Sequence, residues 1–198
     1  MTDARTEPRH VYLVRHGRTA LNADGRLRGL ADPPLDDVGV AEARAVASVI
    51  AALRPAYVFS SPLDRAAHTA RIIAEAAGVF ATTDDRFNDR DYGPWTGERK
   101  ADVIAEWGSV DAAPGVEPVD DVLARARPAL DDMLEESAGG DIVIVSHDAV
   151  IRPLITSIDP SRTTVETPTG SWNDLVRGAD GWSVLATDQK PDPQPRSV

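Results

Sequence analysis

Short apolar runs alternate with segments of helical apolar spacing along this chain of 198 residues. The runs at 11–14, 56–59 and 141–145 have the length of buried strands, and the last of them is β-branched almost throughout. Apolar positions at helical spacing predict a helix over 38–50, capped by Asp36 or Asp37, and a second helix that begins at Pro62. Strands that alternate with helices through short links indicate βαβ units on a parallel sheet.

The second half of the chain continues this pattern and adds a hairpin at its end. A third strand is predicted over 79–83, and further helices over 98–107, 119–137 and 149–155. Two apolar runs at 171–176 and 182–187, joined across Gly178 to Gly181, predict the hairpin. We therefore expect one α/β domain over 10–187, with a flexible N-terminus at 1–9 and a flexible C-terminal tail at 188–198.

Composition narrows the classes of function. With 42% hydrophobic and 27% charged residues the chain is typical of a globular protein, and without cysteine it has neither disulfides nor a thiolate metal site. No apolar run approaches ~18 residues and the first nine residues are polar, so we expect a cytoplasmic protein without membrane span or signal peptide. The net charge of −11 argues against nucleic acid or a membrane surface as a partner.

So acidic a protein can bind phosphate only where its cations are gathered, and three predicted strand ends carry suitable residues. They read Arg15-His16-Gly17, then Ser60-Ser61-Pro62 with Arg65 just beyond, then Ser146-His147-Asp148. The carboxyl ends of parallel strands meet at one edge of the sheet, so we expect these groups to converge. Alone, Arg-His-Gly is equally well explained by a strand end with a solvated arginine, but three such ends are hard to explain by packing. The candidate cations are Arg15, Arg18, Arg26, Arg28, Arg65 and Arg152.

The residue types at these strand ends suit phosphoryl transfer. Arg15 offers a planar fork for phosphate oxygens, and Gly17 allows backbone N–H groups to approach an anion. His16 can attack phosphorus as a neutral imidazole, and His147 supplies a second imidazole. Arg65 lies near the start of a predicted helix, where free N–H groups and the dipole favour an anion. Such a set can bind a phosphoryl group without a metal, and the other two histidines lack the spacing of zinc ligands.

Longer segments around these residues resemble the motifs of the histidine phosphatase superfamily, the phosphoglycerate-mutase-like proteins. The similarity runs from about Val11 to Val184, with the segments in the family's order. It implies a three-layer α/β fold with a mostly parallel central sheet and helices on both faces. The segments are 13–19 with Asn22, 60–66 with Thr69-Ala70, 87–97, 114–115 with Glu117, Asp121 and Arg125, and 145–148 with Ile151-Arg152.

This resemblance implies a role for each residue of the site. His16 is the nucleophile that is transiently phosphorylated, and Arg15, Arg65 and His147 form the phosphate pocket. No metal or cofactor takes part. The substrate-binding set adds Gly17, Thr19, Asn22, Arg28, Gly29 and Asp148, with Asn22 and the Arg28-Gly29 backbone at the rim of the pocket.

The proton donor has two candidates. Asp89 stands where the family usually has glutamate, so its loop must bring the shorter side chain closer to the leaving oxygen. Asp148 is the alternative because, in the acid-phosphatase branch of the family, the aspartate directly after the second histidine is the donor. The motif around Asp148 otherwise follows the other branch, so we favour Asp89, although an aspartate that only caps a loop also fits.

The expected activity is hydrolysis of a small phosphorylated substrate, because a mutase must shield its phosphohistidine from water. The phosphoglycerate mutases that the chain resembles are longer. The segment 108–118 is short and holds no Lys or Arg to grip a second phosphate or a carboxylate. A mutase, or a catalytically weak protein that binds phosphorylated ligands, remains an alternative. The sequence leaves open the substrate and whether the chain is a monomer or a homodimer.

Overall fold

Residues 8–191 are described by the structure, a computed structural model, and they build six strands and six α-helices. The strands are β1 (Arg9–Arg15), β2 (Tyr57–Ser60), β3 (Ala81–Thr83), β4 (Ile142–Ser146), β5 (Trp172–Gly178) and β6 (Gly181–Gln189). The helices are α1 (Ala20–Ala23), α2 (Asp37–Ala52), α3 (Asp64–Ala77), α4 (Lys100–Trp107), α5 (Val119–Glu136) and α6 (Asp148–Ile158). Within this range no helix is long and apolar enough to cross a membrane.

The strands form one sheet in the order β3-β2-β4-β1-β5-β6. The first four are parallel to one another, whereas β5 and β6 run antiparallel and form the predicted hairpin. Strands β1, β4 and β2 are neighbours, with Arg15 opposite Ser146 and Ser60 opposite Val145. Their carboxyl ends therefore lie side by side, and the predicted mostly parallel α/β sheet is confirmed.

Strand β4 shows why the fold has three layers. Ile142 and Ile144 face a core that is closed by α5 and α6. Val143 and Val145 face the opposite core, which is closed by α2 and α3. Because β4 is buried on both faces, its sequence is a continuous apolar run rather than an alternating one.

Capping side chains set several helix ends. Asp36 caps α2, because its carboxylate accepts the N–H of Gly39 at 2.8 Å. Helix α3 ends at Gly78, whose φ of +70° is left-handed. Its predicted start at Pro62 is wrong. The N–H of Leu63 is bonded to Ser61 Oγ and the backbone of Leu63 is still extended, so the helix begins only at Asp64.

The predicted flexible ends are wrong for the residues next to the domain. Arg9 begins β1, and its guanidinium donates to Ser137 and to the backbone oxygens of Leu134 and Gly140. Asp188 and Gln189 belong to β6. The pattern of hydrophobic residues does not detect polar residues that are held in place by hydrogen bonds. It therefore placed both ends of the domain too far inward. Residues 1–7 and 192–198 of the two predicted tails lie outside the described residues.

Helix α2 packs closely against the segment that follows β1, and two glycines allow this approach. A Cβ on Gly39 would overlap the backbone of Arg18, and a Cβ on Gly17 would overlap the carbonyl group of Gly39. Packing between two backbones thus requires glycine at both positions.

Replacing Gly39 by alanine tests this close approach. Alanine ordinarily favours a helix over glycine by about 1 kcal/mol. Here we expect Gly39→Ala to lower the free energy of unfolding by about 1–3 kcal/mol, measured by urea titration, because backbone atoms must move apart. Gly178→Ala is the matched control, since its Cβ would meet nothing within 4 Å, and should change stability by less than about 0.5 kcal/mol. A stabilised Gly39→Ala protein would contradict the structure here.

Candidate active site

Two histidines lie side by side at the carboxyl ends of β1 and β4. His16 follows β1 and His147 follows β4; both are fully buried, and their ring centroids are 5.1 Å apart. The N–H of His16 donates to the carbonyl oxygen of Ser146 at 3.1 Å, which ties the two strand ends together. The convergence predicted for these two strand ends is therefore present in the structure.

The hydrogen bonds of His16 determine which ring nitrogen carries the proton. Nδ1 lies 2.6 Å from the carbonyl oxygen of Gly17. A carbonyl can only accept, so Nδ1 carries the hydrogen and Nε2 keeps its lone pair. Burial, reinforced by the charges of Arg65, Arg15 and Arg28, holds the pKa of His16 well below 6.5. His16 is therefore a neutral imidazole, and its Nε2 has no hydrogen-bond partner. This is the form that can act as a nucleophile.

Arg65 is positioned by a loop rather than by its own helix. Its fully buried guanidinium donates to the backbone oxygens of Gly29 and Ala31, both at 2.8 Å, and to Asp89 at 2.9 Å. At the α3 N-terminus, which the sequence predicts to favour an anion, the N–H of Asp64 is already taken, because it donates to Asp32. Gly29, predicted at the rim through its backbone, anchors Arg65 through its carbonyl oxygen.

Arg15 and Arg28 converge on the same carboxylate. Arg28 donates to Asp148 at 2.9 Å, and a terminal nitrogen of Arg15 lies 3.5 Å from the same oxygen. The other terminal nitrogen of Arg15 donates to the carbonyl oxygen of Thr167 at 2.7 Å. Sequence reasoning missed Thr167, and no pattern could have revealed it, since any residue supplies a backbone oxygen.

Buried polar side-chain atoms without a hydrogen-bond partner concentrate in this cluster. Eight buried side-chain atoms of residues 8–191 lack a hydrogen-bond partner, and six of them belong to Arg15, His16, Arg28, Arg65 and His147. Among them is the Nε of each arginine. Buried polar atoms are costly when unpaired, so their grouping indicates a site for a ligand rich in acceptor oxygens. Three guanidinium groups face only two carboxyls here, which favours an anion. Over the same residues no three His, Asp or Glu side chains are grouped to hold a metal ion.

The two carboxyls of the cluster have opposite electrostatic environments. Burial raises the pKa of Asp89, and the charge of Asp148 adds to this effect while Arg65 opposes it. Burial also works against ionisation of Asp148, but the charges of Arg15, Arg28 and Arg152 outweigh it and hold its pKa well below the usual range. Asp89 is thus suited to hold a proton, and Asp148 to remain ionised.

The loop that carries Asp89 is clamped by a second arginine. Arg125 donates to the backbone oxygens of Arg86, Asn88 and Asp89 at 2.8–3.1 Å. Glu117 accepts from Arg125 and from the N–H of Asp91. Asp89 Oδ2 is thereby held 3.7 Å from Nδ1 of His147. The motif that contains Glu117 and Arg125 was recognised in the sequence, but its task only follows from these contacts.

Two residues predicted to bind substrate have structural tasks instead. The N–H of Gly17 donates to Thr69 Oγ1 at 3.1 Å, so it is not free for an anion. Thr19 is fully buried and caps α1 through reciprocal bonds with Asn22. A hydroxyl and an amide three residues apart form a capping box, which accounts for the pair without a ligand. Asn22 also borders the cleft described next.

A cleft of about 920 Å³ opens next to the cluster and shares Arg15, Arg28 and Asp148 with it. The segment 108–118 forms part of its wall and adds no cation, as the sequence indicates. Other elements supply the cations of the cleft. The cleft has two acidic residues, Asp111 and Asp148. Its eight basic residues are Arg15, Arg18, Arg26, Arg28, Arg90, Lys100, Arg152 and Arg162.

Comparison with known proteins identifies the family. The model of the histidine phosphatase superfamily (branch 1) matches residues 11–189. The chain belongs to this superfamily. The "Probable phosphoglycerate mutase GpmB" of Yersinia pestis is 33% identical over 159 residues, which cover 75% of this chain and 74% of that protein.

Two further relatives differ in how much of their length is shared with this histidine phosphatase superfamily member. The "Bifunctional protein Rv2228c" of Mycobacterium tuberculosis is 34% identical over 164 residues. That match covers 78% of this chain but 45% of that protein, so the chain spans under half of its length. The structure of a mycobacterial glucosyl-3-phosphoglycerate phosphatase matches with a TM-score of 0.82 at 25% identity, covering 92% of this chain and all of that one.

The buried histidines of this superfamily member predict a pH-dependent stability. His16 and His147 are neutral in the folded state because burial lowers the pKa of each, but in the unfolded chain they take up protons below about pH 6.5. The contribution of these histidines to the free energy of unfolding is complete above that pH. It is lost as the pH falls, by up to about 1.4 kcal/mol per pH unit for each histidine. When the pH is lowered from about 7.5 to about 5, the free energy of unfolding measured in urea should therefore fall more for the wild type than for His16→Asn.

The control is His68→Asn, because His68 lies on α3 outside the cluster. This variant should lose as much stability as the wild type over the same range. An unchanged pH dependence in His16→Asn would mean that His16 is not held neutral.

Proposed function

We propose that the protein hydrolyses a phosphomonoester through a phosphohistidine on His16. The observation that carries this proposal is the unpaired Nε2 of a neutral His16, surrounded by arginines whose Nε atoms are unpaired as well. A phosphoryl group brings the acceptor oxygens that these donors lack. It also brings the negative charge that Arg15, Arg28 and Arg65 favour.

The first step transfers the phosphoryl group to the protein. Nε2 of His16 attacks phosphorus while the bond to the leaving oxygen breaks. Asp89, protonated, gives its proton to that oxygen, so the product leaves as a neutral alcohol. Arg15, Arg65 and His147 stabilise the charge on the equatorial oxygens, with no rearrangement required because their positions are set in advance.

The second step restores the protein. Water attacks the phosphohistidine, and Asp89, now a carboxylate, accepts the proton of that water. The bond between phosphorus and Nε2 breaks, inorganic phosphate leaves, and His16 is again neutral. Asp89 must therefore alternate between two charge states, which its buried place beside Arg65 allows. A bound phosphate competes for the charge of Arg65 and so favours the protonated form needed first.

Hydrolysis is supported over mutase activity by the space around the reacting group. The cleft of about 920 Å³ adjoins the cluster, and the segment 108–118 that borders it is short. A mutase needs its phosphohistidine shielded from water. The second candidate remains a mutase, favoured by the eight basic residues that line the cleft. Release of inorganic phosphate in step with loss of substrate distinguishes hydrolysis from transfer back to a product.

Removing the nucleophile tests the proposal directly. His16→Ala should reduce hydrolysis of p-nitrophenyl phosphate to background and abolish an acid-labile, base-stable label from a ³²P-labelled phosphomonoester. The assay contains EDTA, because the charge for the transition state comes from arginines and activity should persist without divalent metal. His68→Ala is the control and should keep both activity and label. Labelling that persists in His16→Ala, or activity that returns only with added metal, would contradict the mechanism.

The leaving group decides between the two acids. If Asp89 is the donor, Asp89→Asn should slow substrates with poor leaving groups by about 10²–10⁴-fold and p-nitrophenyl phosphate much less. Asp148→Asn should slow the hydrolysis of all substrates by a similar factor, because Asp148 only holds Arg15 and Arg28. The pre-steady-state burst reports phosphorylation alone and separates it from the second step. A steep leaving-group dependence in Asp148→Asn but not in Asp89→Asn would reverse the assignment.

A further inference from the structure

Part of the wall of the cleft is apolar. It includes Ile104 of α4, Leu123 of α5, Pro153 of α6, and Val110. Ile104 is 39% exposed although the preceding Val103 is buried and anchors the helix. A large apolar side chain left exposed in a concave surface is typical of a ligand-binding wall.

Of the six basic residues that line the cleft outside the inner cluster, three are in close ion pairs. Arg18 donates to Asp36 at 2.9 Å, Arg162 lies 3.2 Å from Asp159, and Arg90 is paired with Asp111. This contrasts with the inner cluster, where guanidinium nitrogens are unpaired. The cleft has a volume of about 920 Å³, which is that of a site for a drug-sized molecule. A substrate as small as a three-carbon acid would leave the apolar side chains of its wall uncovered.

We propose that the alcohol part of the substrate is a bulky apolar group, an alkyl chain or a ring, which lies against Ile104, Leu123 and Val110. The phosphate enters the inner cluster at the same time. This inference rests on the proposed function and names the substrate class of the same site.

The test uses n-alkyl phosphates, whose leaving alcohols hardly differ in acidity. From ethyl to butyl to hexyl phosphate, kcat/KM should rise by roughly fourfold for each methylene that is buried, on the order of 10²-fold in all. Ile104→Ser should flatten this rise. The control Leu185→Ser removes an exposed leucine of β6 outside the cleft and should keep the rise unchanged.

Each outcome bears on one hypothesis. A flat series with His16-dependent hydrolysis would overturn the apolar site and leave the proposed function standing. Hydrolysis that survives His16→Ala would overturn the proposed function instead. The phosphate ester of 6-hydroxyhexanoate has the hexyl length with a terminal carboxylate. If it reacts faster than hexyl phosphate, the outer cleft selects a second anion, through Lys100 for instance, and the apolar proposal is wrong.

A separate observation concerns the end of β6. Both carboxylate oxygens of Asp188 accept backbone N–H groups, from Thr167 at 2.7 Å and from Glu166 at 3.0 Å. The N–H of Asp188 donates to Asn173, which in turn donates to the backbone of Leu13 in β1. Thr167 and Asp188 both have left-handed φ angles, +46° and +55°, which cost energy in residues other than glycine.

We infer that Asp188 is a positioning residue for Arg15. It fixes the backbone of Thr167, whose carbonyl oxygen accepts from Arg15 at 2.7 Å. Without the carboxylate, the strained turn at Thr167 relaxes and Arg15 loses its anchor on the side away from Asp148. The effect reaches the phosphate without any contact between Asp188 and the ligand.

Binding of inorganic phosphate, measured by calorimetry, tests this role without turnover. Asp188→Ala should raise the dissociation constant roughly tenfold, since a hydrogen bond to a charged group is at stake. Asp188→Asn keeps one acceptor and should give a smaller rise, which also decides the matter if the alanine variant does not fold. Asp180→Ala removes the same charge from the β5–β6 turn and should bind like the wild type.

Dissociation constants within twofold of the wild type in both Asp188 variants would overturn the role, and so would an equal rise in Asp180→Ala. A purely structural role would lower the free energy of unfolding but leave phosphate binding by the folded protein unchanged. A wild type that binds no phosphate would overturn this inference and the proposed function together.

Discussion

Positive charge buried at the carboxyl ends of β1 and β4 is the constraint on which the rest of the structure depends. Burying a guanidinium group is costly unless its hydrogen bonds and its charge are met. Arg65 is fully buried and meets this requirement through Gly29, Ala31 and Asp89. The loops around the sheet edge are accordingly shaped to present carbonyl oxygens and carboxylates to the arginines. The donors that they leave unpaired form the site that we propose for phosphate.

The same constraint separates the roles of the two carboxyls and of the two parts of the cleft. Asp148 balances two arginines and stays ionised, whereas the side chain of Asp89 is less exposed and holds a proton more readily. Farther out, ion pairs neutralise three of the six cations of the cleft, and apolar side chains form part of its wall. In the function that we propose, the phosphate binds at the inner end of the cleft and the alcohol part lies against the apolar part of its wall. A phosphomonoester with a bulky alcohol part has the matching distribution.

Features that depend on residues adjacent in sequence followed from the sequence alone. The apolar runs of β1, β2 and β4, which alternate with predicted helices, predicted a parallel sheet. The spacing of apolar residues that marks a strand or a helix involves only residues close together in the chain, so the sequence alone reveals it. His16 and His147 directly follow strands, so the parallel order placed them at one edge. The histidine phosphatase motifs then supplied the family, which the comparisons confirm.

Contacts between distant segments were decided only by the tertiary structure. Arg65 is bonded to the loop at 29–31, Arg15 to Thr167, and the loop of Asp89 to Arg125, across 34 or more residues in each case. These contacts use backbone oxygens, which every residue has and which therefore leave no trace in the sequence. The ends of the domain at Arg9 and Asp188 were misplaced for the same reason. The pattern of hydrophobic residues shows which side chains are buried. It does not show which hydrogen-bond partners the buried polar groups have.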